Sequence, residues 1–177
     1  MKKTILSIIE KLATIEVQNQ DRNDVLLCSN IWQGQLDDLI ASVDIINLPA
    51  CYVEIVAEQN QMLGSDFSGK DATVRLHILH ENYNNEGGLD ANLLVFDLRD
   101  KVLGIMNKFT PTNASSLVYV SENLDTAPTN IYHYVIDFRT HIIENMNEIL
   151  DSNYGGVLVE TLNNPTLQVD EVITDNI

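Results

Sequence analysis

The stretch LGSDFSGKDA, Leu63 to Ala72, sets Gly64, Gly69 and Lys70 at the spacing of a phosphate-binding loop. In such a loop backbone amides cradle the phosphates, and a hydroxyl after the lysine holds magnesium. Asp71 stands where that hydroxyl should be, and Asp66 adds a second negative charge beside the phosphates. A phosphate loop also follows its strand directly and opens a helix. Here ATVRLHIL, Ala72 to Leu79, alternates Val74, Leu76 and Ile78 against Thr73, Arg75 and His77, so a strand follows instead. The stretch reads as a glycine-containing loop between strands.

The histidines are the other chemical candidates. His77 and His80 lie three apart on a strand and point to opposite faces, which rules them out as a chelating pair. His133 and His141 share a face, but the strand between them holds them about 26 Å apart. His77 is placed to meet His133 or Asp137 across strands, which keeps a small metal-dependent hydrolase as the enzymatic alternative. Histidines on an ordinary sheet surface are the simpler reading. The chain has no G-x-S-x-G elbow, and neither Cys28 nor Cys51 has neighbours that would lower a thiol pKa. Both are expected to be reduced and partly buried. The adjacent carboxylates Asp37–Asp38 and Asp170–Glu171 read as solvated. No catalytic residue, metal or cofactor is therefore expected.

These residues need a scaffold, and 177 residues with 45% hydrophobic content can build one sizeable core. A net charge of −16 excludes a surface that grips nucleic acid, which needs clustered Lys and Arg. Acidity also suits solubility, or a wall past which DNA slides without sticking. No apolar run approaches the length of a membrane span, and Glu10 and Lys11 interrupt the apolar start, so synthesis in the cytoplasm is expected.

Ile5, Ile8, Ile9, Leu12 and Ile15 predict a helix over Lys3 to Val17. Strands are predicted at Val25–Trp32, Cys51–Glu58, Ala72–Leu79 and Ser115–Glu122. Gln33 to Leu48 admits a turn or two of helix, ended by Pro49. Val95, Leu98, Val102, Ile105, Met106 and Phe109 predict a second helix ending before Pro111. In IYHYVIDFRTHI, Tyr132, Tyr134, Ile136 and Phe138 share one face, while His133, Asp137, Arg139 and His141 share the other. From Glu144 to Ile177 there are seven acidic residues and no Lys or Arg, which predicts an acidic extension, 144–177, after a 1–143 domain. The order is α-β-β-β-α-β-β. The fold class is α+β, a mixed or antiparallel sheet of about five strands with two main helices packed on it. Trp32, the only tryptophan, either closes the edge of the core or anchors a partner.

The series IWQGQLDD, LPACYVEI, LGSDFSGKDATVRLHIL, LLVFDLRDKVLGIM and IYHYVIDFRTHI resembles the neck and tail-completion proteins of tailed bacteriophages, in particular the tail-terminator type of Bacteroidetes phages. It covers about Met1 to Ile143. The resemblance implies a non-enzymatic virion subunit, assembled in the host cytoplasm into a homo-oligomeric ring, commonly hexameric in such families, that caps the tail tube, meets neck or connector proteins and lets DNA pass without specific binding or membrane contact. A head–tail connector or the cap of an injection system is the alternative of the same class. The loop Gln59 to Asp71, with Phe67 at its tip, is expected to touch a neighbouring subunit or the tube end, and the expected interface residues are Trp32, Gln35, Asp66, Phe67 and Lys70.

Overall fold

The structure, a computed structural model, describes residues 1–18, 23–34, 36, 47–64, 66–81, 88–125 and 131–147. Most of Gln33–Leu48, with Gln35, and most of the acidic extension lie outside these. Contacts divide the chain into Met1–Glu144 and Asn145–Ile177.

The first helix, α1, spans Lys2–Leu12 and buries Thr4, Ile8 and Leu12, one residue per turn on a single face. It ends well before Val17. The Thr14 hydroxyl donates to the Lys11 carbonyl at 2.7 Å, and Ile15 and Val17 enter the core from extended backbone. Residues branched at Cβ fit a pleated surface better than a last helical turn, which accounts for the shorter helix.

The predicted strand Val25–Trp32 is divided between two sheets. β1 (Glu16–Gln18) and β2 (Asp24–Leu26) form an antiparallel pair, while β3 (Cys28–Ile31) runs parallel to β4 (Ala50–Met62). Buried Leu27 separates them, its N–H donating to the Ile15 carbonyl at 2.9 Å. β4 and β5 (Phe67–Glu81) form a long antiparallel hairpin, irregular between Ala57 and Asn60. The expected loop Gln59–Asp71 is therefore mostly the two arms of this hairpin, turning only between Met62 and Phe67. Of the phosphate-loop spacing, Gly64 lies in the hairpin turn, while Gly69 and Lys70 fall within β5. At Gly69 the chains approach closely: a Cβ would lie 2.7 Å from His141 Nε2 and 2.8 Å from the Leu63 side chain, so a larger residue there would make these side-chain ends shift.

The second helix, α2 (Gly88–Met106), buries Val95, Leu98, Val102 and Met106 against the sheet. It stops short of Phe109 because Lys108 takes a left-handed backbone, φ 69°, and donates its N–H to the Leu117 carbonyl. β6 (Val118–Asp125) pairs antiparallel with β7 (Ile131–Asn145), completing a five-stranded sheet in the order β3-β4-β5-β7-β6. The fold is α+β, a mixed sheet with two helices, in essentially the expected order. A single core joins both helices to the sheet through Cys51, Val53, Val74, Leu76, Ile78, Ile136 and Phe138. The odd-numbered residues of β5 and β7 face away from this core and form the site described below.

Phe138 is fully buried in that core. Phe138→Ala is expected to lower unfolding free energy by about 3–5 kcal/mol, read as a reduced urea midpoint with unchanged slope.

Candidate functional site

Alternation along four neighbouring strands places a polar row on the face of the sheet opposite the main core. Tyr52 on β4 pairs with His77 on β5, Glu54 with Arg75, and Asp125 on β6 with His133 on β7. The side chains then join across the strands. His77 Nδ1 lies 2.9 Å from His133 Nε2. On the outer sides, His77 Nε2 lies 3.2 Å from Glu54 Oε2, and His133 Nδ1 lies 3.1 Å from Asp125 Oδ2. The result is a chain of carboxylate, imidazole, imidazole and carboxylate crossing the sheet. Both imidazoles are 6% exposed.

Trp32 covers the row. Its backbone N–H donates to the Val53 carbonyl at 2.9 Å, continuing the parallel pairing past the end of β3. The indole then lies flat on His77, with ring centroids 3.9 Å apart and planes 2° from parallel, and meets Tyr52 edge-on at 6.1 Å. Leu79, Ala50 and Tyr52 form a small second core beneath it. Of the two roles open to Trp32, the structure shows it closing the edge of a core.

Beside the imidazoles, Arg75 donates to both Asp137 oxygens, from Nε at 2.9 Å and from its terminal nitrogen at 3.3 Å, and stands 3.6 Å from Glu54. Its pKa is raised, chiefly by the hydrogen bond to Asp137. Burial pushes His77 down to about 4, against the opposing pull of its hydrogen bond to Glu54, while the neighbouring His133 adds to the fall. The tyrosine hydroxyl of Tyr52 is pushed up by burial and by the nearby Cys28.

The remaining chemical candidates are dispersed. His80 points to the opposite face from His77, lining a cavity of about 470 Å³ with Val17, Asp24, Asp97 and Leu98, and burial lowers its pKa. His141 pairs with Asp71 at 2.9 Å. Cys28 is half-buried and Cys51 buried, both free, and burial drives the Cys51 thiol pKa far up. The ring nitrogens of His77 and His133 that would face a shared metal ion are hydrogen-bonded to each other, closer than the roughly 3.4 Å between two tetrahedral ligands at zinc–nitrogen distance.

Of the expected interface residues, Asp66 is exposed at the hairpin turn and Phe67 is exposed at the start of β5. Trp32 is partly covered, and Gln35 lies outside the described residues. Lys70 is placed differently from the expectation. It is 7% exposed, and its ammonium donates to Glu144 at 2.7 Å, with the Met1 amino group on the same carboxylate. Burial would raise the Glu144 pKa, but these two hydrogen bonds outweigh it and hold the carboxyl below its usual value. Lys70 thus serves the interior of the subunit.

Sequence reasoning did not bring Glu54 or Asp125 to the histidines. The alternation of CYVEIVAE does put Glu54 on the face of Tyr52, but Asp125 lies in a segment rich in turn-forming residues and was expected outside the sheet. Matched against protein-family models and against curated proteins, the chain finds no counterpart. Among the described residues, no helix is long and apolar enough to cross a membrane.

Because the folded His77 resists protonation until about pH 4 while the unfolded chain accepts that proton near 6.5, stability falls as pH drops through this window and levels off below it. The expected loss is about 3 kcal/mol, seen as a falling urea midpoint between those pH values; His77→Gln should flatten that slope.

Proposed function

We propose that the chain is a structural subunit that assembles with copies of itself into a ring, in the manner of the tail-terminator proteins its sequence resembles. The observation that carries this reading is the outer edge of β6. β6 ends the five-stranded sheet, and no other strand among the described residues covers it. Val118, Tyr119 and Val120 are all exposed there, Val118 at 60%. Soluble proteins usually protect such an edge with lysine, proline or a covering segment, since unpaired N–H and C=O groups recruit another strand. The VYV run has none of these residues.

The β4–β5 hairpin offers a second exposed apolar surface through Val56, Met62, Leu63 and Phe67. The two surfaces differ, so contact between one and the other in successive copies is heterologous, and such contacts close into a ring when the rotation per subunit allows it. The acidic charge fits a ring whose bore repels DNA phosphates, leaving the nucleic acid free to pass. Tail tube and connector proteins are the partners this reading assigns to its two faces.

Native mass spectrometry and light scattering test it. The protein should run as a closed oligomer, and raising salt to about 0.5 M should strengthen association by screening repulsion between acidic copies. Val118→Lys with Val120→Lys should shift the mass to monomer while leaving thermal unfolding almost unchanged, as expected for exposed positions. A wild-type protein that stays monomeric at high concentration overturns the reading.

A further inference from the structure

Three contacts run through the buried imidazoles: Glu54 to His77, His77 to His133, and His133 to Asp125. Each contact needs one hydrogen. An ionised carboxylate only accepts, so His77 Nε2 and His133 Nδ1 each carry a hydrogen. Two neutral imidazoles hold two hydrogens in all, and both are then committed to the carboxylates. Their inner nitrogens face each other as bare lone pairs 2.9 Å apart. A third hydrogen completes the chain, with His77 neutral and both ring hydrogens on His133. A fourth would set two N–H groups head to head, and the contact would be lost.

The surroundings favour one added positive charge. Glu54 on β4, Asp125 on β6 and Asp137 on β7 are acidic, and Arg75 on β5 is the basic group among them. Tyr52 on β4, with Cys28 of β3 near it, is a further titratable group beside the pair among the described residues, and Asp71 on β5 with Arg139 and His141 on β7 lie farther along the same face. The indole of Trp32 lies over His77 and reaches within 5.6 Å of the His133 ring. An unpaired buried polar group costs about 1–3 kcal/mol, so the carboxylates and the vacant lone pairs both draw the third proton in.

We propose that His77 and His133 share one proton that latches β5 to β7 and holds Trp32 on the sheet, so that the β3 edge loosens both when this proton leaves and when a second one enters. The downward push of burial on His77 agrees with its being the neutral partner. The latch is local to one subunit and stands whether or not copies of the chain assemble into rings.

The full chain supplies its own probe, because Trp32 is the sole tryptophan and stacks on the titrating ring. Its fluorescence, followed from about pH 3 to about pH 10, should show two inflections, one acid and one alkaline, with the far-UV circular dichroism unchanged across both. A single inflection, or an acid one that coincides with loss of the far-UV signal, overturns the latch. In ¹⁵N-labelled wild-type protein at neutral pH, a coupling through the hydrogen bond between His77 Nδ1 and His133 Nε2 is expected. Absence of this coupling, or one equivalent of a metal ion bound to these nitrogens, overturns the shared proton without any variant. His133→Gln retains an N–H directed at His77 but cannot release a proton, so it should lose the alkaline inflection and keep the acid one. Persistence of the alkaline inflection in that variant would count against the proposal.

Discussion

The two longest strands, β5 and β7, belong to hairpins far apart in the chain, and the sheet exists because they meet. Their side chains join at His77–His133, Arg75–Asp137, Asp71–His141 and Lys70–Glu144. As residue numbers fall along β5 they rise along β7, so the two strands run antiparallel. Each of these contacts joins groups of opposite or complementary hydrogen-bonding character. A slip of one residue would turn the polar row into the core and the core residues outward, so the register of this seam is strongly specified.

The seam also explains how the sheet can hold so many charged groups, on both of its faces. Burying a lone charge costs several kcal/mol, whereas a paired one with its hydrogen bonds satisfied is tolerated. Lys70 is nearly inaccessible yet meets Glu144, and Arg75 engages both oxygens of Asp137. Trp32 then covers the imidazoles from the β3 edge with a ring that stacks on one of them. The row is built into the structure of the subunit, while the apolar surfaces of β6 and the β4–β5 hairpin lie at its periphery. Because the two lie apart, self-assembly and the shared proton can be tested independently.

Much of the scaffold was legible because it rests on local periodicity. Alternation in ATVRLHIL and IYHYVIDFRTHI marked both strands and correctly separated His77 from His80, and spacing of apolar residues marked both helices. The boundaries were less legible, because they depend on competition between elements. Ile15 and Val17 continued the helical pattern of α1 but found better packing in extended backbone, and Leu27 divided one apparent strand between two sheets. The turn of the β4–β5 hairpin is shorter than its polar, glycine-containing sequence suggested, since cross-strand pairing can extend through residues of weak strand propensity.

The α+β class, the order of the main elements and which side chains share a strand face are written in local pattern, because they follow from the periods of helix and strand. That His77 lies against His133, that Glu54 and Asp125 close the row, and that Lys70 turns inward to Glu144 came from the assembled sheet. Those partners are dozens of residues apart, and their meeting depends on the order and register of non-local strands, which no local pattern encodes.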